Sequence, residues 1–223
     1  YPIVDSFGRK HRSLRISVTD RCNIRCFYCM PENVKFLPQD SILSFEEIHR
    51  IAGILARQGV SRVRLTGGEP LVRSQLWNLV ELLKSVRGIE EVALTTNGIL
   101  LSDQAEKLKA SGLDRINVSL DSIDRDKFKE ITRRDALDKV LAGIDAAISA
   151  GFENIRINAV SVNGISETEV VPLVTWAQQQ GLHLRFIEFM PLDGDQAWQN
   201  QQVFTGVMLR EIIEKKFGSL TPV

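Results

Sequence analysis

The chain has 223 residues, of which 43% are hydrophobic and 25% charged, a composition typical of a globular protein with one sizeable core. Lys plus Arg and Asp plus Glu both number 28, so the formal net charge is zero. This balance gives no support for a nucleic-acid or membrane partner, and any anion site must be local. The sequence shows neither an apolar run of the roughly 20 residues that a membrane helix needs nor a secretory signal, so we expect a cytoplasmic protein.

Short runs rich in Val, Ile and Leu alternate with longer helical patterns, which is typical of parallel βα units. Six strands are predicted, namely Leu14–Val18, Val63–Thr66, Val92–Thr95, Arg115–Leu120, Ile155–Val160 and Leu184–Glu188. Their apolar composition predicts burial on both faces of the sheet. The pattern alone leaves two architectures open, an open doubly wound sheet and a partial barrel. Either way we expect one domain over residues 1–223.

Local signals predict where several helices begin and end. Ser44 with Glu47 predicts a capping box that opens a helix ending before Gly59. Three further helices are predicted to stop at glycines, which are Gly112, Gly151 and Gly181. Between Leu137 and Ala150 the apolar residues recur at helical spacing, and we expect this stripe in the core: Val140, Leu141, Ile144, Ala147 and Ile148. A last helix is predicted over Met208–Phe217.

All three cysteines, Cys22, Cys26 and Cys29, lie in the loop after the first predicted strand. An odd, clustered set is a poor disulfide framework. Three thiolates at this spacing can hold three irons of a [4Fe-4S] cube and leave the fourth iron open to another ligand. Two alternatives stay open: a zinc site, although no histidine stands at ligand spacing to complete it, and inert buried thiols.

Other polar motifs also follow predicted strands. Gly67-Gly68-Glu69-Pro70 comes after the second strand, Thr95-Thr96-Asn97-Gly98 ends the third, and Ser119-Leu120-Asp121 ends the fourth. Barrels of βα units place their chemistry at the carboxyl ends of the strands. The motifs therefore favour an α/β fold built as an incomplete (β/α)6 TIM-type barrel of parallel strands.

The cysteine loop, with Tyr28 before its last cysteine, and the Gly-Gly-Glu-Pro segment resemble the radical S-adenosylmethionine superfamily. The resemblance implies a radical SAM core whose [4Fe-4S] cluster is held by Cys22, Cys26 and Cys29, with S-adenosylmethionine on the open iron. Reductive cleavage of that cofactor would give a 5′-deoxyadenosyl radical. The resemblance also implies a set of S-adenosylmethionine-binding residues: Tyr28, Gly67, Gly68, Glu69, Ser119 and Met190.

Five segments resemble one family more narrowly, the GTP 3′,8-cyclases of molybdenum cofactor biosynthesis: Leu14–Cys22, Leu65–Leu71, Leu94–Gly98, Ile116–Asp121 and Leu184–Met190. The resemblance implies a lyase in which the radical takes H3′ of GTP, leading to (8S)-3′,8-cyclo-7,8-dihydroguanosine 5′-triphosphate. It assigns GTP binding to Arg15, Arg64, Thr95 and Arg156, and no catalytic residue beyond cluster and cofactor. Family members often have Lys where this chain has Arg156, which preserves the charge but not the point-charge geometry.

The family continues past this chain with three more cysteines that bind a second [4Fe-4S] cluster, and these ligands are absent from the sequence. We therefore expect a chain truncated at its carboxyl terminus. The expected partners are GTP, S-adenosylmethionine and an electron donor, and an open sheet edge predicts a homodimer or poor solubility. Two other functions remain open: a different radical enzyme, such as a peptide-modifying one that would not need the arginines, and an inactive cluster-binding fragment.

Overall fold

The computed structural model of the protein describes residues 2–191 and 198–222. Its six strands form one sheet in chain order, with parallel pairing of β1 to β2, β2 to β3 and β5 to β6. The strands are β1 Ser13–Ser17, β2 Arg62–Thr66, β3 Glu91–Thr96, β4 Arg115–Ser119, β5 Ile155–Ser161 and β6 His183–Glu188. Each lies within about one residue of its predicted bounds, so the predicted α/β fold with six parallel strands is confirmed.

In the part of the chain that the structure describes, six α-helices lie between the strands, and a seventh follows the last strand. They are α1 Phe45–Ala56, α2 Leu76–Ser85, α3 Ala105–Ala110, α4 Arg125–Thr132, α5 Leu137–Ser149, α6 Val170–Gln179 and α7 Gly206–Phe217. The capping box of α1 is confirmed, because Glu47 N donates to Ser44 Oγ at 3.1 Å and Ser44 N donates to Glu47 Oε2 at 2.7 Å. Within the described ranges, no helix is long and apolar enough to cross a membrane.

The chain divides into two compact units. The first comprises Tyr1–Asn23, Lys35–Asn117 and Lys139–Ile155, and the second comprises Ile24–Val34, Val118–Asp138 and Arg156–Val223. In the first unit α1 packs on α2 and α2 packs on α3. In the second unit α6 packs on α7, around an apolar cluster of Val170, Phe204 and Leu209.

Four of the six strands have one apolar and one polar face. In β2 the side chains of Val63 and Leu65 are buried, whereas Arg64 points to the opposite face and is half-buried. The predicted burial on both faces is wrong for β1, β2, β5 and β6, although it fits the middle of β3 and of β4. The reason is that every second residue of these four strands is apolar and the residues between are mostly polar, so the side chains alternate between core and polar face.

Helix α5 buries a narrower stripe than its pattern predicts. Three of the predicted core residues are buried, namely Val140, Ile144 and Ala147, whereas Leu141 is half-buried. Placing Ile148 in the core is wrong, because 40% of it is exposed. At about 100° of rotation per residue, Leu141 and Ile148 lie roughly a quarter turn from the centre of the buried stripe. Gly143 belongs to that stripe instead.

Gly143 in α5 packs closely against the loop after β3. A Cβ placed on it would lie 2.3 Å from the carbonyl oxygen of Gly98 and 3.1 Å from Leu101 Cβ. We expect Gly143→Ala to lower the free energy of unfolding by about 1–3 kcal/mol, even though alanine favours a helix over glycine by ~1 kcal/mol. Urea unfolding followed by circular dichroism measures this.

Gly53 in α1 provides the matched control, since a Cβ there would meet only Arg57 Nη1 at 4.0 Å. Gly53→Ala should therefore stabilise the protein by about 0.5–1 kcal/mol. If both substitutions stabilised the protein, the tight contact between α5 and the loop would be contradicted.

Candidate functional site

In the first unit, the glycine motif after β2 lies against the segment that leads to Cys22. Gly68 N donates to Thr19 O and Glu69 N donates to Arg21 O, both at 2.7 Å. A Cβ on Gly67 would lie 2.5 Å from Thr19 O, and one on Gly68 would lie 2.4 Å from Arg21 O. Only glycine fits at either position, because any side chain would collide with backbone.

The carboxylate of Glu69 is buried and holds two loops together. Its Oε1 accepts from Thr96 Oγ1 at 2.7 Å and from Leu71 N at 3.0 Å, and its Oε2 accepts from Asn97 N at 2.7 Å. Burial raises the pKa of Glu69, while the three hydrogen bonds act in the opposite direction. An ionised carboxylate offers about four acceptor positions, and the described residues supply three donors, which leaves room for one more.

Asn97 connects this network to the first cysteine. Its backbone N–H is bound to Glu69, and its side-chain Nδ2 donates to Asn23 Oδ1 at 2.7 Å and to Cys22 Sγ at 3.9 Å. Its Oδ1 accepts from Ile99 N at 3.1 Å. The side chain is 7% exposed, so its amide is fixed on both sides.

In the second unit, Cys26 and Cys29 share one turn. Cys29 N donates to Cys26 O at 3.0 Å, and the turn is bound to α4 because Phe27 N donates to Ile131 O, also at 3.0 Å. Burial raises the pKa of the Cys29 thiol. None of the three cysteines is in a disulfide, and a pair of thiols on one turn suits iron–sulfur ligation.

Cys22 belongs to the first unit, and Cys26 and Cys29 belong to the second. Among the described residues, no three His, Cys, Asp or Glu side chains converge as the ligands of a single metal ion do. A [4Fe-4S] cube has a different geometry, because each thiolate binds its own iron.

Tyr28, between these two cysteines, is bound to a buried carboxylate. Its hydroxyl donates to Asp121 Oδ2 at 2.6 Å, and Val160 N donates to Asp121 Oδ1 at 2.8 Å. Burial raises the pKa of Asp121 to about 6, and the two hydrogen bonds act against this. Burial first, and the Asp121 charge second, raise the pKa of Tyr28 well above its usual value.

A small pocket of about 170 Å³ in the second unit brings together Tyr28, Cys29 and Met190. Met190 is 51% exposed, so it is not a core methionine. Tyr28 and Phe189, which also lines the pocket, meet edge to face with ring centroids 6.2 Å apart. Two predicted S-adenosylmethionine residues and one cysteine thus share a cavity.

Arginines concentrate in another cavity, of about 320 Å³, in the first unit. Arg15 on β1 and Arg64 on β2 are register partners, so their side chains leave neighbouring strands on the same face. Arg62, Glu91 and Arg115, the first residue of each of β2, β3 and β4, complete the polar lining with Ser13. Four arginines therefore face one glutamate. Arg115 Nη2 donates to Glu91 at 2.6 Å, whereas its buried Nε has no partner among the described residues.

The remaining predicted residues lie elsewhere. Thr95 is on the same face of β3 as Ala93 of the arginine cavity, one step toward the carboxyl end, and its hydroxyl accepts from Asn117 Nδ2 at 3.3 Å. Arg156 lies in the second unit, in a cavity of about 210 Å³ with His183 and Arg185. Ser119 is half-buried at the last position of β4.

Sequence reasoning assigned no role to five residues that the structure places among these groups: Arg62, Glu91, Asn97, Arg115 and Asp121. The sequence carried a signal for two of them, because Asn97 directly follows β3 and Asp121 lies two residues after the end of β4. The other three needed the strand register, which aligns Arg62 with Glu91 on neighbouring strands.

The chain is similar to known proteins over nearly its whole length. The Radical SAM superfamily model matches residues 16–177. The chain is 52% identical to GTP 3′,8-cyclase of Rhodopirellula baltica over 99% of its own length and 62% of the relative. It is 43% identical to GTP 3′,8-cyclase of Thermodesulfovibrio yellowstonii over 98% of itself and 68% of that relative. The chain therefore spans somewhat less than two thirds of the first of these curated relatives.

Among solved structures, SuiB of Streptococcus suis with bound S-adenosylmethionine has a TM-score of 0.74 and 20% identity, covering 92% of this chain and 46% of that one. At this identity the similarity shows the fold alone.

The hydrogen bond from Tyr28 to Asp121 generates a pH-dependent prediction. With the pKa of Asp121 raised to about 6, the carboxylate is ionised above that pH and then depends most on its donors. We expect Tyr28→Phe to lower the free energy of unfolding by about 1–3 kcal/mol at about pH 8, and by less at about pH 5, where Asp121 is protonated. Urea unfolding at both pH values measures the difference.

The same substitution in an Asp121→Asn background is the control. The amide cannot ionise, so the pH dependence of the Tyr28→Phe effect should disappear there. An equal effect of Tyr28→Phe at both pH values in the parent chain would contradict the raised pKa of Asp121.

Proposed function

Because the chain belongs to the radical SAM superfamily, we propose that it carries the S-adenosylmethionine- and GTP-binding core of a GTP 3′,8-cyclase. The observation that carries the proposal is the cavity lined by Arg15, Arg62, Arg64 and Arg115. A chain of zero net charge has no general need for four clustered guanidinium groups, and a triphosphate is an anion that such a cluster suits.

We assign the [4Fe-4S] cluster to Cys22 of the first unit and to Cys26 and Cys29 of the second. The donor set fits, because thiolates are the ligands of such clusters and three of them leave one iron for the cofactor. Held there, the cluster would supply the one electron that cleaves S-adenosylmethionine, and the cleaved cofactor would supply the acceptor for H3′ of GTP that allows C3′ to bond to guanine C8. Residues 1–223 serve as one radical SAM core domain in this proposal.

The S-adenosylmethionine site is assigned to Gly67, Gly68 and Glu69 in the first unit and to Tyr28, Ser119 and Met190 in the second. The open acceptor position on Glu69 supports this assignment, since an ammonium group is the donor that a buried carboxylate binds most strongly. The pocket that Tyr28 shares with Met190 and Cys29 offers an apolar surface beside a cluster ligand. Both features support binding of the cofactor next to the open iron.

GTP binding is assigned to Arg15, Arg64 and Thr95 in the first unit and to Arg156 in the second. Arg15 and Arg64 leave adjacent strands side by side, so their guanidinium groups can contact neighbouring phosphates. Arg115 Nε is buried and has no hydrogen-bond partner in the part of the chain that the structure describes. Because a buried donor without a partner is costly, this supports a ligand in the same cavity. A peptide-modifying enzyme would need no such cluster.

The proposed function also implies an electron donor, a second cluster in the longer relatives, a homodimer and a cytoplasmic location. An electron donor must supply the electron that cleaves S-adenosylmethionine and a second one that, with a proton, completes the 7,8-dihydro product. The second [4Fe-4S] cluster rests on the family resemblance alone, because its cysteines are not among the three of this chain. We likewise expect a homodimer and a cytoplasmic location.

The deciding experiment is anaerobic reconstitution with iron and sulfide, followed by dithionite, S-adenosylmethionine and GTP, with products identified by mass spectrometry. The proposal expects 5′-deoxyadenosine together with the cyclised nucleotide. Deoxyadenosine alone would reduce the assignment to cofactor cleavage without cyclisation. A chain that binds iron but makes neither product would act only as a cluster-binding protein.

Arg64→Ala should separate the two ligands. Loss of one charged hydrogen bond to phosphate costs about 1.5–3 kcal/mol, so we expect GTP to bind roughly 10- to 100-fold more weakly. The yield of 5′-deoxyadenosine without GTP should stay close to that of the parent chain. Calorimetric titration and product analysis measure the two effects.

Arg87→Ala is the matched control, because Arg87 is exposed just after α2 and lies outside the arginine cavity. It should leave both measurements unchanged. Equal losses of GTP binding and of cofactor cleavage in Arg64→Ala would count against a phosphate role for Arg64.

A further inference from the structure

A side-chain amide donates to the sulfur of the first cysteine. Asn97 Nδ2 lies 3.9 Å from Cys22 Sγ, within the range of a hydrogen bond to sulfur. We propose that Asn97 is a positioning residue that raises the reduction potential of the cluster by donating an N–H···S hydrogen bond to Cys22. The inference rests on the proposed cluster at Cys22 and adds a function for a residue outside the assigned ligand set.

The direction in which the amide points is determined by its neighbours. Asn97 Oδ1 accepts from Ile99 N at 3.1 Å, and one Nδ2 proton goes to Asn23 Oδ1 at 2.7 Å. A flipped amide would place Nδ2 against the Ile99 N–H and an oxygen against Asn23 Oδ1, which replaces two attractive contacts by two repulsive ones. The second Nδ2 proton therefore remains on the side of Cys22.

The backbone of Asn97 is held as firmly as its side chain. Glu69 Oε2 accepts from Asn97 N at 2.7 Å, and Gly98 N donates to Thr96 Oγ1 at 3.0 Å. Glu69 is itself 1% exposed and bound to the segment before Cys22 through its own N–H. The donor and the sulfur are thus attached to one hydrogen-bonded network, so their separation is maintained without a ligand.

The sign of the effect follows from charge. Reduction adds negative charge to a cluster, part of which lies on its thiolate sulfurs, and an N–H dipole pointing at a sulfur stabilises that charge. Hydrogen bonds to the sulfurs are one of the factors that determine such potentials. Because an amide is neutral, Asn97 supplies this stabilisation without altering the net charge of the site.

The test is a redox titration, monitored by electron paramagnetic resonance, of the reconstituted 223-residue chain. Asn97→Leu keeps the approximate volume and removes the donor. We expect unchanged iron content and a reduction equilibrium about tenfold less favourable, which for a one-electron couple is a shift of about 59 mV to more negative potential. An unchanged or more positive potential would overturn the proposal.

Asn23→Ala is the matched control, because it removes the other partner of the same amide and leaves the contact with Cys22. Asn23→Ala should leave the reduction potential at the parent value. If it shifted the potential as much as Asn97→Leu does, the cause would be a loosened loop, and the role of Asn97 as a donor would be overturned.

A second variant covers the case in which Asn97→Leu fails to bind iron. Asn97→Asp keeps the acceptor for Ile99 N and replaces the donor by a carboxylate oxygen, so its potential should be more negative still. A potential equal to the parent value there would also overturn the inference. A parent chain that binds no cluster would refute the proposed function and the inference together, whereas a normal cluster with unshifted variants would refute the inference alone.

Discussion

The burial of one carboxylate, that of Glu69, determines how the loops of the first unit are arranged. A carboxylate removed from water costs several kcal/mol unless hydrogen bonds replace the lost hydration. Thr96 at the end of β3, Asn97 just after it and Leu71 in the loop after β2 supply these bonds. The loop after β1 joins them because the two glycines before Glu69 let backbone meet backbone. The loops that follow β1, β2 and β3 are therefore held together by polar groups that would be costly to bury without hydrogen bonds.

In the sheet, apolar side chains that stabilise the core alternate along a strand with polar side chains on the opposite face. In β2 the residues Val63 and Leu65 are buried, while Arg62 and Arg64 leave the strand on the other side. A strand can therefore carry arginine without disturbing the core, because neighbouring positions face opposite directions. The concentration of arginine in one cavity follows from register: Arg15 aligns with Arg64, and Arg62 with Glu91. A chain with no net charge can in this way present a strongly cationic cavity.

The strands were predictable because their apolar runs are short and bounded by glycine and polar motifs, and because local pattern determines where a strand begins and ends. The polar face of the outer strands was not predicted, because the prediction relied on the Val, Ile and Leu content of β2 and β5. Only the alternation of apolar and polar residues along these strands indicates that one face is polar. Ile148 illustrates the same limit in a helix, since apolar character at roughly the right spacing does not ensure burial at the edge of a stripe.

The site was predictable where a motif is contiguous and not where it depends on pairing between distant segments. The cysteine loop and the Gly-Gly-Glu-Pro segment can be read directly from the sequence. In contrast, the bond between Tyr28 and Asp121 joins residues that are 93 positions apart, and that between Asn97 and Cys22 joins residues 75 positions apart. No local rule relates such pairs, because they meet only after the strands before them have been aligned.

Two buried carboxylates serve the two halves of the cysteine loop in the same manner. In the first unit Glu69 binds Asn97, whose amide reaches Cys22; in the second unit Asp121 binds Tyr28, which stands between Cys26 and Cys29. Burial raises the pKa of both carboxyl groups, so each would be easier to fold as an uncharged residue. A buried carboxylate lowers the stability of the fold through its desolvation, but it also fixes the geometry around it. The reason is that its oxygens tolerate few arrangements of the hydrogen-bond donors. If the cysteine loop holds the proposed cluster, the position of that loop is where such fixed geometry has the most effect on chemistry.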